Sequence, residues 1–503
     1  MGKKKLLLPI AFATLSAFLF YKKDLGLNLL LFEIAALFLL FATGQIPRKH
    51  KSLMMAFAAL LLSSVFTLIN YSVFGYVLHF ILCLLFTGLL IYPYARSPVT
   101  PIALSLYNLA TSQVFFLRLL TERNHKGKTV FTRVFRAGIF ILPMCIIVLF
   151  FLMYQQSNPV FERIFSVPLE RITHFLSKLF ERFNFLLFFT FLLGLLISNF
   201  IFLRKGKEQL IKKDQNASES LQRSKTKTFS TAKNLSLKNE YRAALFLFAS
   251  LNLLLFLLNI ADVYSVWFHF EWKGQYLKQY VHEGTYLLIL SILISIALVL
   301  YYFRGNLNHY PQATLLRRLS FIWLAQNALL LVSVGIRNYW YIHFFALAYK
   351  RIGVYIFLLL TLFGLYSVWK KVNEKKSLFY LCKVNATAWL VVLTMSSLIN
   401  WDSLIARYNF SKSGRAFLHL AFLSTLPDKC LPHLDKPYET LLQIDHIQKQ
   451  LFHFDEVFMT PETYHSILQK RKKRFIEKWE RKDILEWNYA EWRAYRRLTN
   501  GSS

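Results

Sequence analysis

The sequence predicts an all-α protein: a polytopic transmembrane helical bundle of about eleven spans with a small helical extracytoplasmic C-terminal domain. Three observations predict it. The 503 residues are 55% hydrophobic and 17% aromatic, with mean hydropathy +0.38. The apolar residues come in blocks of about 18 to 20, enough for a helix to cross a hydrocarbon slab ~30 Å thick. The last hundred residues switch to charged sequence with helical periodicity.

Spans are expected at 5–21, 26–43, 53–70, 73–93, 137–154, 184–203, 243–262, 284–302, 319–336, 352–369 and 380–400. The first, within MGKKKLLLPIAFATLSAFLFYKKD, has the basic start and apolar run of a signal peptide. No small-x-small cleavage site follows and a second apolar run begins at once, so it reads as a signal anchor. Leu6 stands where a myristoylation pattern needs Ser or Thr. The stretch VTPIALSLYNLATSQVFFLRLL is interrupted by polar residues and holds Arg118, which makes it an interfacial or groove-packed helix. Domain boundaries follow from these blocks. Residues 1–136 carry four spans and the interfacial helix, 137–203 two spans with an external loop, and 204–242 a basic cytoplasmic linker. Residues 243–400 form a five-span membrane domain and 401–503 an extracytoplasmic tail.

Lys and Arg resist translocation and gather in short cytoplasmic loops. With the N-terminus inside, 32 of them fall on inner segments and 11 on outer loops before residue 401. Eleven crossings then put the tail outside.

Four cysteines, Cys83, Cys145, Cys382 and Cys430, are scattered, offering neither a disulfide framework nor a CxxC metal site. The formal charge of +33 raises the question of nucleic acid. Its densest run, 204–242, has 11 basic and 4 acidic residues among Ser, Thr and Asn, the composition of a disordered linker drawn to anionic headgroups or an acidic protein partner. No RNA or DNA module accompanies it, so nucleic acid is not an expected partner. Phosphate-loop, dinucleotide, HExxH and GxSxG motifs are absent, and no cofactor is implied. Membrane glycosyltransferases resemble one another in placing acidic catalytic residues in a sizeable first external loop; this chain has only YKKDLG there.

A polar side chain in hydrocarbon costs free energy, so the polar residues inside the spans are candidates for function. Asn252, Asn259 and Asp262 share a face of the seventh span, Gln326 and Asn327 sit at the middle of the ninth, and Glu33 lies alone in the second. Asn and Gln also serve as packing glue between helices; a solute or proton path is the other reading, with Glu33 its best protonatable group. At the outer helix ends, Asp262, Glu283, Arg337, Lys350, Arg351 and Asp402 bring charges of both signs to one plane, amid Trp267, His269, Trp340, His343 and Trp401. Ion pairing that clamps helices seven to eleven is expected, with Arg337 and Arg351 pairing to Asp262, Glu283 or Asp402. Capture of an anionic headgroup is the competing reading. The histidines lack the spacing of a metal site.

LNLLLFLLNIADVYSVWF, YVHEGTYLLILSILISIALVLYYFRG, IRNYWYIHFFALAYKRIGVYIFLLL and NWDSLIARYNF follow one another in an order that resembles bacterial membrane proteins grouped as domain of unknown function 4173, related to group 4153. The resemblance covers residues 241–426; the first 240 match in hydropathy alone. It implies a polytopic fold in a bacterial cell membrane and transfers no catalytic residue. Relatives are expected to read Tyr-Gly-Leu-Thr before the basic pair, where this chain has Phe345-Ala346-Leu347-Ala348.

In the tail, KPYETLLQIDHIQKQLFHF and TPETYHSILQKRKKRFIEKWERKDILEWNYAEWRAYRRL read as two helices, the second opening with Thr460 as N-cap and Pro461 at N1. Spacing puts Leu485, Tyr489, Trp492 and Tyr495 on one stripe, facing either the outer membrane surface or the rest of the tail. His433, His446, His453 and His465 read as solvated. Two function classes stay open: a non-enzymatic membrane scaffold or sensor whose tail and linker contact partners, and a transporter of a small solute or ion through the bundle. A reporter active only in the cytoplasm should work near Ser224 and fail after Ser503; activity after Ser503 would change the crossing count, first of all at 99–120.

Overall fold

Hydrocarbon offers a peptide group no water, so each crossing segment closes its hydrogen bonds within a helix. The computed structural model of the protein describes residues 2–47, 50–121, 147, 150, 151, 153, 154, 184–222, 231–270, 275–310, 312–452 and 458–500. These residues form α1 (Gly2–Phe20), α2 (Leu27–Ala42), α3 (Lys51–Asn70), α4 (Val73–Ile91), α5 (Val99–Thr121), α6 (Phe185–Phe202), α7 (Glu208–Asn216), α8 (Thr231–Asp262), α9 (Gln275–Tyr302), α10 (Ala313–Phe345), α11 (Tyr349–Asn373) and α12 (Leu378–Ser397). The tail adds α13 (Trp401–Ser411), α14 (Leu420–Leu423), α15 (Leu431–Leu434), α16 (Tyr438–Leu451), α17 (Pro461–Glu480) and α18 (Tyr489–Asn500). Among the described residues there is no strand, only an isolated bridge between Ser220 and Lys376. Nine of these helices are long and apolar enough to cross a membrane, and Leu6–Phe20 and Leu27–Ala42 are shorter apolar helices. The expected fifth span, 137–154, and the loop after it lie almost wholly outside the described residues.

The helices pack into two bundles, each with its own core. The first core gathers Phe12, Phe32, Leu40, Leu53, Leu82 and Phe86 from α1 to α4. The second gathers Phe248, Ile292, Leu316, Leu330, Leu358 and Leu381 from α8 to α12. α12 joins them: Leu393 packs on the first core, and Asn70 at the end of α3 donates to the Ser397 carbonyl at 2.9 Å. α1 and α6 run antiparallel, with Asn184 bonded to Tyr21 at one end and Leu6 beside Leu203 at the other. The latter is the linker end, since residues 204–222 continue from it; the tail covers the opposite end.

α5 meets the length and hydropathy of a span, yet it runs across the linker end. Ser105 donates to the Leu84 carbonyl, Asn108 to the Phe200 carbonyl at 2.8 Å, and Phe116 clusters with Leu6 and Leu203. All these partners lie within about two turns of the same end of α1, α4 and α6. At the contact with α4, a Cβ on Gly88 would stand 1.9 Å from the Pro101 carbonyl oxygen.

The linker departs from the disorder its composition suggests. Asp214 accepts from the Arg96 amide at 2.9 Å and from Thr100 at 2.7 Å. Glu219 pairs with Lys383 at 2.7 Å and Glu240 with Arg304 at 3.5 Å. Few acids stand among many bases, and these three anchor the run to the bundle, while α8 starts already at Thr231. Residues 223–230 lie outside the described residues.

The terminal helix expected from Thr460 onward divides in two. Thr460 caps it as expected, accepting from the Thr463 amide. After Glu480, however, Asp483 accepts from the Leu485 amide and Asn488 from the Glu491 amide, each at 2.9 Å. These Asx contacts offer the backbone an alternative to the helix. The stripe of Leu485, Tyr489, Trp492 and Tyr495 is therefore not formed. Leu485 packs on the first bundle, and Ala490, Ala494 and Leu498, four apart, are the buried face of α18. The tail core, with Tyr464, Leu468 and Phe475, includes Ile352 of α11.

Gly88→Ala forces two backbones apart and should cost about 1–3 kcal/mol of overpacking. The check is a lowered thermal midpoint of the purified protein in detergent, against an unchanged one for Gly353→Ala, which meets open space.

Candidate functional site

The charges at the tail end divide into separate groups. Arg337, late in α10, pairs with Asp262, the last residue of α8, with their side chains 6% and 4% exposed. Breaking such a buried pair leaves an uncompensated charge, so it fixes where α8 meets α10. A single turn of π-helix, Val263–Phe268, follows Asp262. It is held by the Trp267 indole donating to Ser333 at 2.9 Å and the Trp340 indole donating to the Val266 carbonyl at 3.1 Å. The Glu283 side chain lies outside the described residues, but a Cβ on the adjoining Gly284 would stand 3.9 Å from an Arg337 nitrogen.

Arg351 does not take the carboxylate expected of it. Its guanidinium donates to the carbonyls of Phe345 and Ala346 and lies 4.2 Å from the centroid of the Tyr341 ring. The reason is local: the turn between α10 and α11 leaves helix-end carbonyls open, and a planar fork of donors closes them. Asn409 fixes the same turn, accepting from the Leu347 amide at 2.8 Å and donating to its carbonyl at 3.0 Å. Lys350 is exposed.

Asp402 stands in the first turn of α13, where the helix dipole favours a carboxylate. It accepts from the Tyr349 hydroxyl and pairs with Lys429 at 2.5 Å. Lys429, 4% exposed, also donates to the carbonyls of Asn70 and Tyr71. This tail lysine thereby touches the first bundle and the start of the tail at once. Beside it opens a cavity of about 740 Å³, lined by Tyr71, Tyr76, Ile352, Trp401, Asp402 and Lys429 among others. Its walls are mainly aromatic and aliphatic, with the Asp402–Lys429 pair, Glu491, Ser72 and Thr425 as polar groups, the lining of a site for a small amphiphilic molecule. The tail roofs this region through Lys478–Asp24 and Lys23–Asp483, both 2.8 Å, and the Leu27 amide donates to the Trp487 carbonyl at 3.0 Å. The Lys478 hydrogen bond holds the Asp24 carboxyl below its ordinary range.

Inside the spans several of the expected polar residues bond across the helix pair, while Asn259 Oδ1, Gln326 Oε1 and Asn327 Oδ1 are buried without a hydrogen-bond partner among the described residues. Gln326 donates to the Asn252 side chain at 2.8 Å, Asn259 to the Gln326 carbonyl at 3.2 Å, and Asn252 to the Leu319 carbonyl at 3.1 Å. Asn327 bonds back to the Trp323 carbonyl of its own helix. These contacts join α8 to α10. Glu33 is not alone: His79 of α4 lies 3.8 Å away, and Ser63 of α3 is 2.9 Å from the other ring nitrogen. Each stands about two turns from the tail end of its helix, which sets one polar cluster within the first bundle.

Sequence reasoning missed Lys429, His79 and Ser63. His79 shares no helix with Glu33, and Lys429 lies in a stretch without a motif. Only the plainness of a lysine between Pro427 and Cys430 marked it, and that is no signal.

Ala346 has φ +60° and ψ −165°, a region that Gly alone enters readily and that costs another residue about 1–3 kcal/mol. It occupies the position where the resemblance calls for glycine. Ala346→Gly should therefore raise stability by about 1 kcal/mol after the added chain entropy of the unfolded state, read as a higher thermal midpoint in detergent; an unchanged or lower midpoint counts against a strained turn.

No curated protein and no solved structure matches the chain. The family described as Domain of unknown function (DUF4153) matches residues 7–436, which extends the likeness from 241–426 through the first bundle. With its multiple long apolar helices the chain is an integral membrane protein, and it belongs to the DUF4153 family.

Proposed function

We propose that the protein is a non-enzymatic membrane scaffold or sensor of the bacterial inner membrane, with the N-terminus and residues 204–242 in the cytoplasm and the tail outside. The excess of Lys and Arg at the linker end supports that orientation. The observation that carries the reading is the 740 Å³ cavity under a docked tail, bounded by both bundles. Its occupancy changes how the tail sits, because Lys429 and Asp402 are at once cavity wall and tail anchor. Surfaces on the tail and on the basic linker then report that state to a protein partner, while the bilayer surrounds the spans. The polar groups of α8 and α10 support the reading too, since Asn252, Asn259 and Gln326 bond across the helix pair and line neither of the two cavities beside Lys429.

One observation favours transport instead: Glu33 is 7% exposed, next to His79, and neither carboxylate oxygen has a hydrogen-bond partner among the described residues. A protonatable pair within a bundle is a usual part of a proton-coupled carrier.

Proteoliposomes holding an internal pH dye separate the two. The scaffold reading expects proton leakage no greater than in empty liposomes, with Glu33→Gln unchanged. It also expects Gly353→Trp, which projects into the cavity, to alter tail protection from protease several-fold. Gly26→Trp serves as the undocked control, since even a Cβ there would stand 2.4 Å from the Glu486 carbonyl oxygen. A proton flux abolished by Glu33→Gln would replace the scaffold with a carrier.

A further inference from the structure

A second cavity of about 300 Å³ lies on the other side of Lys429, between the ends of α3 and α12 and the tail. Arg407, Arg493 and Arg497 stand on its wall, and no carboxylate among the described residues lines it. Arg493 and Arg497 are one turn apart on α18, a like-charge spacing that weakens a helix unless something neutralises it. Arg407 approaches from α13. Neither Arg407 nor Arg493 makes a hydrogen bond or ion pair to a described residue, so their donors are available.

The rest of the lining says what kind of anion fits. Ile69, Ile399 and Leu404 face the cavity at the level where α3 and α12 end, and Ile399 and Leu404 are 43% and 42% exposed. A cationic recess thus opens beside exposed aliphatic side chains at the membrane boundary. Planar guanidinium groups hold phosphate oxygens through paired hydrogen bonds better than a lysine does. His433 adds a separate sign of the local field. Burial and the neighbouring Arg497, Arg407, Lys436 and Arg493 push its imidazole down to about 4, so it is neutral at pH 7 and 3.4 Å from an Arg497 nitrogen.

We propose that this recess binds the phosphate of an anionic membrane lipid, with Arg407, Arg493 and Arg497 around the phosphate and the acyl chain against Ile69, Ile399 and Leu404. The phosphate chemistry is shared with free phosphate; the aliphatic rim selects the lipid. The site shares only Lys429 with the cavity assigned to the sensor reading, and its arginines line this recess alone, so its test is separate from that reading. It also places a lipid against Lys429, the residue on which the tail is fixed.

The full chain, delipidated in detergent, is titrated with phosphatidylglycerol, phosphatidylcholine or inorganic phosphate and examined by native mass spectrometry. One phosphatidylglycerol should be retained, at least tenfold more strongly than phosphatidylcholine, and retention should weaken with added salt. In R407Q/R493Q it should fall at least tenfold while the thermal midpoint holds, because neither side chain bonds to a described residue. Should that midpoint shift, R407K and R493K keep the charge and must retain the lipid within a few-fold. Equal retention of phosphatidylcholine, inorganic phosphate bound as tightly as the lipid, or undiminished phosphatidylglycerol in R407Q/R493Q would each overturn the proposal.

Discussion

The buried ammonium of Lys429 is the interaction on which the arrangement of the two bundles and the tail depends. Taking an ammonium out of water costs several kcal/mol unless good acceptors surround it. Lys429 finds three: the Asp402 carboxylate and the carbonyls of Asn70 and Tyr71. The two carbonyls belong to the C-terminal end of α3, where backbone oxygens lack helical partners and the dipole is negative. Tyr71 takes a left-handed conformation there, with φ +45°. Asp402 sits at the opposite kind of helix end. One cation therefore answers unmet needs in two helices that are more than three hundred residues apart in the chain.

The same accounting of polar groups recurs at smaller scale through the spans. Apolar side chains gain nothing by leaving lipid for one another, so helices in a membrane meet through small residues and polar contacts. Here Gly88 lets the backbone of α5 reach α4, and Asn252, Asn259 and Gln326 tie α8 to α10. The buried Arg337–Asp262 pair adds a further tie at the tail end of that same helix pair. α8 and α10 are thereby locked along their length. The cavity beside Lys429 lies elsewhere, between the first bundle, α11 and the tail.

The charge clamp shows how far single-sequence reasoning reaches. It placed Arg337 and Asp262 at one level, because both positions follow from span ends, and the two do meet. It failed for Arg351, whose donors go to carbonyls of a turn that no hydropathy pattern reveals. It gave Asp402 an arginine from a neighbouring helix end, whereas the partner is a tail lysine. Glu33 was noticed and His79 was not, since a lone histidine in an apolar block carries no spacing relation to a carboxylate in another span.

What the amino-acid sequence determined by itself is everything set by the solvent and by neighbours along the chain: helices of membrane length, charge bias at their ends, the capped start at Thr460, and the basic run between the bundles. Water and hydrocarbon act on each residue locally, so these features need no knowledge of the fold. Only the tertiary structure decided which helix ends α5, already legible as an interfacial helix, lies across, that acids of the linker dock it on the bundle, and that the last helix breaks at Asp483 and Asn488. It alone decided that Lys429 joins the parts. Those outcomes depend on which helix ends come together, and packing across hundreds of residues chooses among many equally apolar surfaces.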